Sequence, residues 1–354
     1  MRILHTVGAR PNFMKAAPVI EALGMRGHVQ TIVHTGQHYA SNMSDVFFQQ
    51  LNIPQPDVNL AVGSGSHARQ TADIMTRLEP VLLERKPDMV FVYGDVNSTL
   101  ASSLVCAKLR IPLAHVEAGL RSFDRSMPEE INRLLTDQVS DMLFTPSGDA
   151  NENLLREGVS QEKIFLVGNV MIDTLWKLLP QAQAHRPPDL PDRYALVTLH
   201  RPANVDDTDF IGNVVRTLGL WSKEIAIVFP VHPRTRQRFQ EMGLAEGMNG
   251  NFHLLEPLPY LPFLALQQSA ALVITDSGGV QEETTYLGVP CLTMRENTER
   301  PTTITVGSNT LIGRDMERLS EEIRKILSGQ GKKGAIPPLW DGHAAERIAK
   351  SLCT

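Results

Sequence analysis

The chain has 354 residues, 42% of them hydrophobic and 21% charged, with 34 Lys and Arg against 39 Asp and Glu for a formal charge of −5. At roughly 150 residues per domain this predicts about two globular domains and excludes a disordered, collagenous or coiled-coil chain. A near-neutral, slightly acidic balance gives no bulk electrostatic reason to bind nucleic acid or anionic membrane.

The N-terminal MRILHTVGARP reads as a first strand, Ile3–Val7, not as a signal peptide. Helical spacing over Ala16–Leu23 follows, then a strand at Thr31–Thr35, a helix over Ala68–Glu84, a strand at Met89–Tyr93 and a helix over Asn97–Leu109. Strands at Leu113–Val116 and Met142–Thr145 close this series. A second series runs through Ala195–Leu199, Ile225–Pro230, Phe252–Leu255, Leu272–Thr275 and Cys291–Met294. Strands alternating with helices imply βαβ units and parallel sheets. The alternation breaks once, at Gln181–Arg193, where Pro187, Pro188 and Pro191 mark a linker or surface loop.

The expected fold class is therefore α/β, with two doubly wound Rossmann-like domains and a central cleft. Residues 1–168 form the first domain and 169–341 the second. The last helix, Ala344–Leu352, can pack on either; placed with the first domain, residues 342–354 complete it.

Cys106, Cys291 and Cys353 are odd in number and widely spaced. They offer neither a disulfide framework nor paired zinc spacing, so a reducing cytoplasm is the expected compartment. No apolar run approaches the ~20 residues needed to span a bilayer.

Ligands of doubly wound sheets sit beyond the carboxyl ends of the strands, so the informative residues follow strands. After the first strand, Gly8-Ala9-Arg10-Pro11-Asn12 leads into a helix carrying Lys15. Pro11 suits the first helical turn, whose free N–H groups attract anions, and Arg10 and Lys15 add two positive charges. Asp276-Ser277-Gly278-Gly279 follows Leu272–Thr275 and opens another helix, in which Glu282 or Glu283 could reach a ribose hydroxyl. Two glycines let an anion approach the backbone closely. One nucleotide-diphosphate site is the economical reading; tight turns with solvated charges are the plainer one. Gly63-Ser64-Gly65-Ser66-His67-Ala68 formally fits a dinucleotide fingerprint, but it lacks a good preceding strand and reads as a loop before a helix. No cofactor is expected.

Asp95 and Glu117 each end a strand, and Glu129 and Glu130 follow in SMPEEINRLL with Arg133 one turn on. A single carboxylate at a helix start is often a capping choice. Several converging on one sheet edge favour acid/base work. His200 with Arg201, and His232, terminate strands of the second series. No HExxH, Cys/His cluster or EF-hand loop is present, so no metal is expected.

Together, GARPNFMKAAP, TGQHY, GDVNSTLA, HVEAGLRS, PEEINR, PVHPRTR, YLPF, TDSGGVQEE, LGVPCL and RENTERP occur in the order found in the non-hydrolysing UDP-N-acetylglucosamine 2-epimerases. The chain resembles that family over nearly its whole length. The resemblance implies a glycosyltransferase-B-like fold and reversible conversion of UDP-N-acetylglucosamine to UDP-N-acetylmannosamine. It also implies supply of cell-surface polysaccharide precursors by a homodimer, with UDP-N-acetylglucosamine and UDP as ligands. By matching motifs it assigns Arg10 and Lys15 to a phosphate-facing turn, and Ser277, Gly278 and Gly279 to the diphosphate. Glu283 falls to the ribose, Leu258 and Phe263 to uracil, and Arg300 to the substrate. Asp95, Glu117, Glu129 and His200 fall to the chemistry, with Arg133 close by. In some bacterial members, positions like Gln37, Arg69 and His232 hold a second, activating nucleotide.

The chain departs from the family at four places. Asn12 stands where many members have Glu, and the loop RSFDRSMPEE is shorter. Pro202-Ala203-Asn204 replace R-x-E-N or R-R-E patterns after the histidine, and TGQHYAS differs from the commoner QHR segment. The alternatives carried forward are a hydrolysing 2-epimerase, an epimerase of a related UDP-diacetamido sugar, and a glycosyltransferase of the same architecture.

Overall fold

The computed structural model describes residues 1–37, 53–231, 233–244 and 250–352, excepting the side chains of Arg10, Pro233 and Arg234. It divides into two compact units, Met1–Trp176 with Pro338–Thr354, and Lys177–Pro337.

The first unit runs β1 (Arg2–Val7), α1 (Arg10–Met25), β2 (Val29–His34), β3 (Val58–Asn59), α2 (His67–Arg85), β4 (Met89–Tyr93), α3 (Asn97–Leu109) and β5 (Leu113–Val116). It continues through α4 (Pro128–Val139), β6 (Met142–Thr145), α5 (Gly148–Arg156), β7 (Ile164–Leu166) and α6 (Val170–Ala182). Its seven strands are ordered β3-β2-β1-β4-β5-β6-β7, all parallel. MVFVY of β4 is buried at every position, as a strand covered on both faces requires. α2 buries Ile74, Leu78 and Leu82, one face at four-residue spacing, on a core with Leu4, Val90 and Val92. Each such side chain contributes about 1.5–3 kcal/mol.

The second unit contains β8 (Tyr194–Thr198), α7 (Pro202–Val205), α8 (Thr208–Trp221), β9 (Ala226–Pro230), α9 (Pro233–Glu241), β10 (Phe252–Leu255) and α10 (Tyr260–Ser269). After these come β11 (Leu272–Thr275), α11 (Gly278–Leu287), β12 (Cys291–Thr293), α12 (Thr302–Thr305), β13 (Asn309–Leu311) and α13 (Met316–Leu327). Its parallel sheet is ordered β10-β9-β8-β11-β12-β13. Both units have the doubly wound architecture expected for an α/β chain.

The division falls after Trp176, inside the continuous helix α6, and no change of composition marks it. The chain then returns to the first unit with α14 (Ala344–Ser351), which packs on α1. Asp173 of α6 accepts the Ala344 and Ala345 amides at 3.1 and 2.7 Å, and the Trp340 indole donates to the Pro146 carbonyl at 3.0 Å. No helix among the described residues is long and apolar enough to cross a membrane.

Strand order reverses beside β1 in the first sheet and beside β8 in the second. The crevices beyond β1 and β4, and beyond β8 and β11, are where such sheets bind ligands.

Candidate active site

In the first unit, the turn after β1 is laced by Asn12, whose Oδ1 accepts the Gly8 and Ala9 amides at 3.2 and 3.1 Å. Its Nδ2 donates to the Tyr93 carbonyl at the end of β4, tying the two strand ends together. Arg10 is the first residue of α1, with its side chain outside the described set. Lys15, one turn on, is buried and forms an ion pair with Glu117 beyond β5. Gly94 makes room for it: φ is +62°, and a Cβ there would lie 2.7 Å from Lys15 Nζ.

Glu117 itself has φ +74°, a left-handed conformation costing a non-glycine residue about 1–3 kcal/mol. The surroundings hold it there. The Glu117 and Ala118 amides both donate to the Phe144 carbonyl at 3.0 Å, and the Gly119 amide donates to Asp137 Oδ2 at 3.0 Å. Asp137 also faces His115 Nδ1 at 2.6 Å and Arg121 at 2.7 Å, while His115 Nε2 reaches the Gly94 carbonyl at 2.8 Å. Burial alone would raise the Asp137 carboxyl, but His115 and Arg121 hold it below the usual carboxylate range.

Asp95 follows β4 and pairs with the guanidinium of Arg133, which also binds Glu130 at 2.6 Å. Glu130 accepts the Ser122 and Phe123 amides as well, at 2.9 and 2.8 Å. Burial works against the Glu130 anion, yet these donors keep its carboxyl below the ordinary range. Glu129, in the same first turn of α4, is exposed. Asn132 Nδ2 donates to the Asp95 carbonyl at 2.8 Å, so one helix positions the whole group.

In the second unit, His200 follows β8 and Asp276 follows β11. Asp276 is fully buried and faces His200 Nδ1 at 2.9 Å, while more than half of the His200 side chain is exposed. Asp276 also accepts the His200 and Arg201 amides and Asn204 Nδ2, at 3.1, 3.0 and 3.0 Å. Burial would raise its carboxyl; His200, the Arg201 amide and Asn204 hold it down. Ser277, Gly278 and Gly279 are partly exposed at the start of α11, and the Ser277 side chain makes no capping bond.

A Cβ on Gly278 would lie 2.5 Å from the Arg300 guanidinium, so the glycine permits that close approach. Arg300 pairs with Glu299 and, at 2.8 Å, with Glu282. Glu283 is buried on α11 and accepts from Tyr260 and Gln267 of α10 at 2.9 and 2.6 Å; burial raises its carboxyl. Leu258 and Phe263 pack half-buried on the core around Leu196 and Val228.

The remaining predicted positions are Gln37, Arg69 and His232. Gln37 is buried, its Oε1 accepting the Ser98 amide and hydroxyl at 3.1 and 2.6 Å at the start of α3. Arg69 projects from α2 and pairs with Asp73 one turn on. His232, and the TGQHYAS segment from His38, lie outside the described residues. In the Gly63–Ala68 stretch, Ser66 caps α2 by accepting the Arg69 amide. Among the described residues, no group of three or more His, Cys, Asp and Glu side chains could hold a metal ion.

Sequence reasoning assigned no role to Asp276, Asp137 or Arg121. The available signal for Asp276 was its place directly before Ser-Gly-Gly. Asp137 and Arg121 carried none, being scattered along a helix and a loop.

A family model described as UDP-N-acetylglucosamine 2-epimerase matches residues 22–353. A Methanocaldococcus jannaschii protein named UDP-N-acetylglucosamine 2-epimerase is 44% identical, with 99% of each chain covered. A Pseudomonas aeruginosa protein named UDP-2,3-diacetamido-2,3-dideoxy-D-glucuronate 2-epimerase is 42% identical, again over 99% of each. Among solved structures, the M. jannaschii UDP-GlcNAc 2-epimerase in complex with UDP-GlcNAc and UDP matches with a TM-score of 0.90 at 44% identity. That match covers 100% of this chain and 99% of the other.

Proposed function

This chain belongs to the UDP-N-acetylglucosamine 2-epimerase family, and from that membership we propose that it interconverts UDP-N-acetylglucosamine and UDP-N-acetylmannosamine by inverting C2. The C2 hydrogen is not next to a carbonyl, so direct deprotonation would leave an unstabilised carbanion. Elimination avoids it. The C2–H electron pair becomes the C1=C2 bond of 2-acetamidoglucal, and the C1–O pair leaves with UDP. Re-addition with protonation from the opposite face gives the epimer.

The observation that carries this reading is the carboxylate group beyond β4 and β5. Asp95 and Glu117 are each set against a buried cation, Arg133 and Lys15, with Glu129 exposed on the adjoining helix. Taking and returning a proton on two faces calls for two positioned acid/base groups, each contributing about 10²–10⁴-fold. Asp95, Glu117 and Glu129 are the set we assign to that work. Ser277, Gly278 and Gly279, at the N-terminus of α11 in the second unit, are assigned to the diphosphate, and Arg10 and Lys15, in the first turns of α1 in the first unit, to phosphate. His200 stabilises departing UDP. Glu283 binds the ribose with the acceptor capacity left beside Tyr260 and Gln267, Leu258 and Phe263 contact uracil, and Arg300 binds substrate.

The test is incubation with UDP-N-acetylglucosamine in D₂O. Deuterium enters C2 as both epimers accumulate if the reading is right. Retention of the original hydrogen refutes elimination and fits simple transfer, and stoichiometric release of UDP with free N-acetylmannosamine identifies a hydrolysing enzyme. A second reading, an epimerase of a UDP-diacetamido uronic acid, is favoured by the 42% identity to the P. aeruginosa relative. Comparing kcat/KM on the two sugar nucleotides separates them.

A further inference from the structure

The turn beyond β8 and β11 holds one buried carboxylate in an arrangement the epimerase reaction, as assigned above, does not use. Asp276 Oδ2 accepts three donors, the His200 amide at 3.2 Å, the Arg201 amide at 3.0 Å and Asn204 Nδ2 at 3.0 Å. Oδ1 accepts the His200 amide at 3.1 Å and faces His200 Nδ1 at 2.9 Å. Asn204 is itself anchored, donating also to the Met294 carbonyl at 3.0 Å. The carboxylate therefore cannot turn away from the imidazole without giving up several hydrogen bonds.

We propose that Asp276 is a positioning residue that fixes the ring orientation and tautomer of His200, so that protons enter and leave that ring only at Nε2. A carboxylate is an acceptor only, so Nδ1 must carry the hydrogen that joins them. Nε2 lies on the opposite side of the ring, on a side chain that is 59% exposed. An imidazolium formed at Nε2 keeps its bond to Asp276 and gains a negative partner. With Nε2–H directed at the diphosphate, the hydrogen bond strengthens as the C1–O electron pair moves onto oxygen, and no further group has to reorganise. Such outer partners commonly set which nitrogen of a histidine is available. Asp276 stays ionised in this setting because its donors outweigh its burial. The inference rests on the role given to His200 in the proposed function.

The tautomer can be read without turnover. In ¹⁵N-histidine-labelled protein at a pH that keeps the ring neutral, long-range ¹H–¹⁵N correlation should place the His200 hydrogen on Nδ1. Finding it on Nε2 in the wild type overturns the inference, whether or not any variant folds.

Asp276→Asn supplies the second arm. The three donors at Oδ2 retain the amide oxygen there, which turns the new NH₂ toward Nδ1 and forces the hydrogen to Nε2. The expected result is a reversed tautomer, a kcat lowered on the order of 10²-fold or more, and unchanged UDP affinity by calorimetry. A reversed tautomer with wild-type kcat, or an unreversed one, overturns the inference. His200→Asn separates it from the reading beneath. Loss of turnover in His200→Asn with no further loss in the double variant is expected. Wild-type turnover in His200→Asn sinks the role of His200 and the inference with it.

Discussion

Glu129 and Glu130 are neighbours in the first turn of one helix, yet Glu130 is buried with its carboxylate on Arg133 while Glu129 is exposed. Two identical side chains thus have different chemistry open to them. Glu130 spends its acceptors on two amides, a hydroxyl and a guanidinium; Glu129 is left accessible to a substrate.

Glu130→Gln should destabilise the protein by about 3 kcal/mol, because Arg133 remains buried without its full counter-charge. Glu129→Gln should leave the denaturation midpoint where it was and lower turnover by roughly 10²–10⁴-fold. Urea unfolding and an epimerisation assay on the two variants check the pair. Equal stability losses would show that both carboxylates are structural.

The Lys15–Glu117 pair gives a different signature. Glu117→Gln should lower both stability, by about 3 kcal/mol, and turnover, because it leaves a buried ammonium and removes an acid/base group. Replacing both residues by Met should restore much of the stability, since well-packed apolar pairs often match buried ion pairs. Turnover should not return. A double variant that is as unstable as the single one would refute this account.

Mild acid should weaken the first unit through His5. Burial lowers its pKa to about 4 from the ordinary 6.5, against the raising effect of the hydrogen bond that His5 Nε2 donates to Gln30 Oε1. The folded state binds fewer protons than the unfolded one between these values. The stability contributed by neutral His5 is therefore complete above pH 6.5 and is lost as pH falls through 6.5 towards 4. Unfolding free energy measured across that window should have a smaller slope in His5→Gln than in the wild type. Parallel slopes would remove His5 as the cause.

Asp173→Ala should orphan the Ala344 and Ala345 amides at the start of α14, at a cost of about 1–3 kcal/mol. Hydrogen exchange should accelerate in residues 344–351 before the sheet is affected. Unchanged protection there would show that apolar packing on α1 is sufficient to dock the helix.

Much of this architecture was legible because buried parallel strands are written as short, mainly apolar runs. Met89–Tyr93, Leu113–Val116, Met142–Thr145, Phe252–Leu255 and Leu272–Thr275 have the bounds read from sequence. Val58–Asn59, Ile164–Leu166 and Asn309–Leu311 were not read as strands, since two or three residues at a sheet edge carry no period.

The site was legible where a residue follows a strand directly, as Asp95, Glu117, His200 and the Asp276–Gly279 turn do. Burial was not. Nothing in the letters of PEE says which glutamate turns inward, and Gln37, read as a ligand of a second site, has its side-chain oxygen engaged at the start of α3. Asp137 reaches the Gly119 amide and Arg121 from a helix further along the chain, a meeting that only the folded backbone brings about.

The route of the chain, out of the first unit after Trp176 and back at Pro338, has a consequence for biosynthesis. The second unit is an insertion whose residues have all been synthesised before the segment that closes the first is made. Until then α1 lacks its α14 neighbour, and the unit translated first must wait to be finished last.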